Sequence, residues 1–240
     1  MLDSEATFKY IVLGEYNSGK TAMVDALQDK PVSRRYTFTI GANMAVLQRT
    51  VSNHAIGIRL WDIAGTLNDL FLRYHPAYFR NSHAAIVAVS LAPDEQQDLD
   101  EVARLVDIIR ERTRLDGKGG AIPVFVVGTK ADLAEGSARS EAYDVALRER
   151  LADLHVSGYF TTTAFERETV DKALGVINEI VYNHYALLGQ VSCEPIRRPR
   201  RPIIKEVQPA RRESVCLRKG RRTKPVKRRE MPGRIARSWY

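Results

Sequence analysis

The chain has 240 residues, 44% of them apolar, enough for one core with an extension or for two small domains. No apolar run nears the roughly 20 residues that cross a bilayer, the first ten residues hold acids but no apolar signal segment, and two cysteines (Cys193, Cys216) make no disulfide framework. The net charge of +8 divides unevenly: residues 191–240 carry 17 Lys or Arg against four acids, net +13, and residues 1–190 carry 20 bases against 25 acids, net −5.

Six apolar, β-rich runs precede residue 165, at 7–13, 42–50, 55–63, 84–91, 122–127 and 159–163. The first leads directly into Gly14-Glu15-Tyr16-Asn17-Ser18-Gly19-Lys20-Thr21, which fits GxxxxGK[ST]. Gly14 and Gly19 let the backbone wrap closely on a phosphate, so that the N–H groups of Tyr16, Asn17 and Ser18 point inward. Lys20 adds a point charge, Thr21 offers a hydroxyl to Mg²⁺, and a helix from Gly19 aims its positive end at the anion. The second and third runs are separated only by the short polar stretch 51–54, which predicts an antiparallel hairpin. Helical spacing follows in three stripes: Val102, Leu105, Val106 and Ile109; then Tyr143, Leu147, Leu151 and Leu154; then Val170, Leu174, Ile177, Val181, Tyr185 and Leu188. Strands alternating with helices predict an α/β fold of the P-loop NTPase kind, a six-stranded, mostly parallel sheet with helices on both faces. The last helix is expected to end near Gly189 and Gln190. Six of the ten prolines then fall in 191–240, a charged segment with too few large apolar residues to fold alone. The expected organisation is a domain over 1–190 and a basic tail over 191–240, in a reducing, cytoplasmic setting.

At the end of the fifth run lies Gly128-Thr129-Lys130-Ala131-Asp132. This segment resembles the [NT]KxD guanine motif of Ras-superfamily GTPases. The resemblance implies that the Asp132 carboxylate accepts from the guanine N1–H and exocyclic amine, and that the Lys130 stem covers the ring. Adenine offers no matching pair of donors, so ATP would leave that carboxylate unpaired. Other segments match in order. Trp61-Asp62-Ile63-Ala64-Gly65 resembles the WDTAG of Rab-type members, implying that Asp62 holds a Mg²⁺ water and that the Gly65 N–H meets a γ-phosphate. Thr37-Phe38-Thr39-Ile40-Gly41 resembles the first switch segment, with Thr39 as its Mg²⁺-binding threonine, 18 residues after Thr21. Thr161-Thr162-Thr163-Ala164-Phe165 resembles ETSAK, with the Ala164 backbone as donor to guanine O6. The resemblance spans about residues 7–188 and indicates a divergent, Rab-like small GTPase. It implies GTP/GDP and Mg²⁺ as ligands, and effector and regulator proteins at the switch regions.

Three departures bear on activity. Thr66 stands where most active members carry the Gln that orients the attacking water, so intrinsic hydrolysis is expected to be slow. Tyr16 occupies a position that is small in most relatives; its ring either obstructs the γ-phosphate approach or points harmlessly to solvent. Phe165 replaces the usual Lys of the last guanine loop with an apolar face, which leaves the Ala164 backbone contact intact.

The chain ends Arg237-Ser238-Trp239-Tyr240 without a prenylation signal, so no prenyl anchor is expected. Basic clusters around Arg197 and Arg218 point instead to an anionic surface: RNA, an acidic protein or cytoskeletal polymer, or anionic lipid. A solvated tail with no fixed partner is the plainer alternative. For the whole chain, a slowly hydrolysing guanine-nucleotide switch competes with a non-cycling, nucleotide-holding module fixed in an assembly by its tail. An ATP-using P-loop kinase is disfavoured by the Thr129–Asp132 motif.

Overall fold

The computed structural model describes residues 6–33, 35, 37–65, 76–113 and 121–189. Thr66 and the whole tail 191–240 lie outside the described residues.

Six strands form one sheet: β1 (Ala6–Leu13), β2 (Ala42–Val51), β3 (His54–Ile63), β4 (Ala84–Ser90), β5 (Val124–Thr129) and β6 (Gly158–Thr161). Their spatial order is β2-β3-β1-β4-β5-β6. Only the β2–β3 pair is antiparallel, and its ladder runs from Ala42↔Ile63 to Val51↔His54. Ser52 and Asn53 make the connection with φ of 49° and 67°. Two consecutive left-handed residues give the turn whose twist matches a two-residue hairpin, as the short polar connection predicts.

The helices are α1 (Lys20–Leu27), α2 (Leu99–Arg112), the single turn α3 (Ala131–Ala134), α4 (Ala138–Asp153) and α5 (Arg167–Leu187). Side chains alternate along the central strands, so each strand feeds two cores. Phe8, Tyr10 and Val12 pack with Met23, Val24 and Leu27 of α1 and with Leu174, Ile177 and Val181 of α5. Ile11 and Leu13 face the other way, onto Val102, Leu105, Val106 and Ile109 of α2 and onto Leu147 and Leu151 of α4. A parallel sheet buried on both faces needs continuous apolar strands, and β4 is buried at all seven positions. The four-residue stripe of α2 is fully buried, each side chain worth about 1.5–3 kcal/mol relative to exposure. Asp98 caps α2 by accepting from the Asp100 N–H at 2.9 Å, with acids in its first turn and arginines in its last.

Several boundaries differ from the expected ones. The fifth strand begins at Val124 rather than Ile122, because Pro123 has no N–H to donate and contributes only its carbonyl, to the Ala85 N–H at 3.0 Å. It continues to Thr129, since Gly128 and Thr129 pair with Val89 and Ser90. The sixth strand stops at Thr161, after which the Thr162 carbonyl turns to accept from the Ala131 N–H. The first helix begins at Lys20, with Gly19 as its cap. Among the described residues no helix is long and apolar enough to cross a membrane.

Candidate functional site

The loops that follow β1, β3, β4, β5 and β6 leave the same edge of the sheet, the carboxyl ends of its parallel strands, where open α/β sheets place their ligands. The loop after β1 depends on glycine. Gly14 has φ +142°, and a Cβ there would lie 2.3 Å from the Ala88 carbonyl oxygen and 2.8 Å from Ser18 Oγ. No other residue fits. The chain then passes Asn17, itself left-handed at φ 58°, and enters α1.

Lys20 lies inside this loop, 5% exposed, its ammonium donating to the Glu15 carbonyl at 2.6 Å and to Ser18 Oγ at 3.2 Å. Burial pushes its pKa down to about 8, against the opposing pull of Asp62 and Glu15. Two neutral oxygens do not replace the hydration of an ammonium, so this cradle favours an anion. Beside it, Thr21 Oγ1 donates to Asp62 Oδ2 at 2.6 Å and lies 3.0 Å from Thr39 Oγ1. The three residues singled out as metal ligands, from α1, β3 and the segment before β2, are therefore together. Asp62 is 1% exposed, and its Oδ1 is buried without a hydrogen-bond partner. Burial raises its pKa, opposed by the Thr21 hydrogen bond and by Lys20. One carboxylate and two hydroxyls, all hard oxygen donors, fit Mg²⁺ that keeps waters and takes phosphate oxygens. Among the described residues no group of three His, Cys, Asp or Glu forms a metal cluster. A cation here would lean on its anionic partner.

Gly65 closes the phosphate side. A Cβ at this position would stand 2.5 Å from the Tyr16 nitrogen and 2.7 Å from the Glu15 carbonyl carbon, so only glycine lets the loop after β3 touch the loop after β1. The Tyr16 side chain is 61% exposed.

The second half of the site is tied to the first by side chains. Thr129 Oγ1, buried at the end of β5, lies 2.7 Å from the Ser18 carbonyl oxygen and 3.2 Å from that of Val89. Lys130, left-handed at φ 56°, reaches back so that its ammonium donates to the Asn17 carbonyl at 2.7 Å and to Asn17 Oδ1 at 3.2 Å, and it pairs with Glu95. Asp132 is exposed at the mouth, where its Oδ1 accepts from Thr163 Oγ1 at 2.6 Å. Thr163 also receives the Phe165 N–H on Oγ1 at 3.4 Å, and Thr169 Oγ1 braces the turn by bonding the Thr163 backbone. Ala164 sits half-buried between them. A short polar side chain at 163 thus orients the carboxylate of 132 across 31 residues of chain.

All the cofactor and metal candidates from the sequence fall on this edge; the candidate for hydrolysis, Thr66, lies outside the described residues. Sequence reasoning missed Glu95. It stands five residues past Ser90 in the loop between β4 and α2, and only the fold brings it to Lys130. Beyond the rim, Phe38, Ile40, Met44 and Val46 are exposed on the segment before β2 and on β2 itself. Met44 pairs across the ladder with Trp61, whose ring lies 5.9 Å from that of Tyr78. Lys9 Nζ lies 4.7 Å from the centre of the Trp61 ring and donates to the Ala77 and Arg80 carbonyls, pinning this apolar rim to the sheet.

A family model described as the Ras family matches residues 9–183. Among curated proteins, the chain is 28% identical over 163 residues to Ras-related protein Rab-36 of Mus musculus, covering 68% of this chain and 57% of that one. It is 26% identical to Ras-related protein Rab-32B of Dictyostelium discoideum (70% and 61% covered) and 25% identical to Ras-related protein Rab-19 of Mus musculus (82% and 86% covered). The chain spans about half to three fifths of the length of the Rab-36 and Rab-32B relatives it matches.

Proposed function

The chain belongs to the Ras family, and from that premise we propose that it is a guanine-nucleotide-binding regulatory protein with slow intrinsic GTP hydrolysis. The observation that carries the reading is the linked pair of half-sites. Buried Lys20 and the Thr21–Thr39–Asp62 group face one pole, Asp132 and Thr163 face the other, and Thr129 and Lys130 bond both to the phosphate loop. A ligand with an anionic end and a base that offers two adjacent donors matches both poles. Lys20 and the N–H groups of the loop take the phosphates. Asp132 takes the base edge, with Thr163 and the Ala164 backbone beside it. Mg²⁺, when bound, supplies positive charge to the phosphate oxygens, and Thr21, Thr39 and Asp62 are the residues proposed to hold it.

In this reading Thr39 and Gly65 report which nucleotide is present, because both sit at the phosphate pole and each is attached to a loop. The exposed rim of Phe38, Ile40, Met44 and Val46, continuous with Trp61, is the proposed surface for effector and regulator proteins. Slow hydrolysis rests on Thr66, too short to orient water while contacting the reacting phosphate. A second reading, in which nucleotide is held without cycling, rests on Thr66 as well; the Tyr16 backbone packs on Gly65 while its side chain is exposed, which fits the harmless alternative for that ring.

The test is to release the nucleotide from purified protein, identify it by chromatography, compete GTP against ATP, and follow GTP turnover over hours. Equal affinity for ATP defeats the guanine assignment, and rapid turnover by the protein alone defeats slow hydrolysis. The +13 tail extends the proposal to an anionic surface. Full-length protein binding RNA through ~6–10 phosphate contacts loses ~10³–10⁵-fold affinity between ~50 and ~200 mM salt. Replacing Arg197, Arg198, Arg200 and Arg201 by Gln flattens that slope if the tail makes the contact.

A further inference from the structure

Resting on the guanine-nucleotide reading above, we propose that Glu95 is a positioning residue of the base site, a latch whose carboxylate holds Lys130 against Asn17 and thereby slows nucleotide release. Three loops meet at one ammonium. Lys130 comes from the end of β5, Asn17 from the phosphate loop, and Glu95 from the connection between β4 and α2. The ammonium donates to the Asn17 carbonyl at 2.7 Å, to Asn17 Oδ1 at 3.2 Å and to Glu95 Oε2. An ammonium has three protons, and these three acceptors use them all.

The latch is built into its loop. Ser90, fully buried at the end of β4, donates its hydroxyl to Glu95 Oε2 at 3.4 Å and accepts the Ala92 N–H at 3.3 Å. The Glu95 N–H then closes a turn onto the Ala92 carbonyl at 3.1 Å. Burial alone would raise the Glu95 pKa, but Lys130, Asn17 and Ser90 hold the carboxyl below its ordinary range, so the latch carries its charge at neutral pH. Both residues that it joins are non-glycine residues in the left-handed region, at φ 58° for Asn17 and 56° for Lys130. Left-handed backbone at a non-glycine residue persists when its surroundings over-determine it, and here the shared carboxylate and ammonium do so.

The consequence concerns the Lys130 stem, the part of the residue proposed to cover the base. With its ammonium fixed at the phosphate loop, the stem is stretched between two anchors and cannot swing away from the ring. Without Glu95, one anchor is a neutral amide and carbonyl pair. Base and phosphate loop then separate more readily, and bound nucleotide leaves faster. The pair is partly solvent-screened, with side-chain exposures of 21% for Lys130 and 36% for Glu95, so the effect is moderate.

The experiment loads full-length protein with GDP carrying a fluorophore on its ribose, in Mg²⁺, and follows release into excess unlabelled GDP. Glu95→Gln keeps shape and removes charge; its release is expected to be about 3–10-fold faster than wild type. Glu95→Asp, one methylene shorter, is expected to fall between. A double-mutant cycle separates positioning from loop stability. In a Lys130→Met background, which keeps the stem and removes the ammonium, Glu95→Gln is expected to add nothing. Wild-type release rates in Glu95→Gln, or additive effects in the cycle, overturn the latch while leaving the guanine site standing. A wild-type protein that retains no guanine nucleotide overturns both.

Discussion

The two ends of the sheet bury polar groups on different terms. At the carboxyl ends, Asp62 Oδ1 has no partner and burial drives Lys20 down to about 8, so two formal charges lack the environment they need. At the amino ends the buried polar groups are mostly served. His83 Nδ1 accepts the Lys9 N–H at 3.0 Å, and the His83 carbonyl accepts the Tyr185 hydroxyl at 3.0 Å. Ser82 Oγ and His184 Nε2 do lack partners there. An unpaired hydroxyl or imidazole costs about 1–3 kcal/mol, however, whereas an unpaired buried charge costs more. What separates a ligand site from an ordinary packing defect is charge left wanting.

The largest test of that contrast is to remove the wanting charge. Lys20→Ala is expected to weaken Mg²⁺-GTP binding by at least about 100-fold, because several charge-assisted hydrogen bonds are lost together. Thr21→Asn is expected to do the same by disturbing the hydroxyl that joins Asp62 and Thr39; titration calorimetry reads both. Unchanged affinity in both variants would make the loop a mere turn. Next in size is the base pole. Asp132→Asn is expected to weaken GTP by about 10–100-fold and to admit xanthosine triphosphate, whose edge presents the complementary groups. A competition assay over the three purine triphosphates decides it.

The opposite end should answer to acid instead of ligand. Burial, with Lys9 adding to it, pushes the His83 pKa from 6.5 down to about 4. Between those values the unfolded chain binds a proton that the folded chain refuses. Stability is therefore full above about pH 6.5 and falls as the pH drops towards about 4, by on the order of 3 kcal/mol. His83→Asn, which keeps an acceptor for the Lys9 N–H, is expected to flatten that slope in urea titrations at pH 4.5 and 7. Nucleotide binding should not change with it; a shift in affinity would mean that the two ends are coupled. The smallest expected effect lies at residue 66. Thr66→Gln is expected to speed single-turnover hydrolysis a few-fold, and more when combined with Tyr16→Gly, as followed by phosphate release. A fast wild-type rate would remove the reason for the change.

How much of this was legible in the chain depended on how local the determinant is. The loop after β1 could be read because glycines at 14 and 19 with Lys20 and Thr21 lie within eight consecutive residues, and the hairpin because only the four residues Val51-Ser52-Asn53-His54 separate two apolar runs. The grouping of Thr21, Thr39 and Asp62 was readable only through a resemblance, since no periodicity links positions in α1, a loop and β3. Glu95 was not readable at all: its partner is 35 residues away, and an acid in a loop reads as solvated surface. The start of β5 was misplaced because Ile122 is as buried as a strand residue, at 3% exposure, although the adjacent proline delays pairing. Burial and backbone pairing are separate properties, and an apolar run reports only the first.

The β2–β3 ladder works as a ruler. Its ten rungs are unbroken from Val51↔His54 to Ala42↔Ile63, and one more bond follows, from the Ala64 N–H to the Gly41 carbonyl at 2.9 Å. Along it Ala45, Leu47 and Val51 face the core while Met44 and Val46 face outward. Sliding the strands by one residue would turn those faces inside out, so the smallest tolerated slip is two residues, about 6.6–6.8 Å. Thr39 therefore cannot drift away from Asp62 by a gradual glide of β2. Its departure falls instead to the chain at Thr39 and Ile40, which precedes the ladder, while the rungs from Gly41 onward hold the rest of β2 in register.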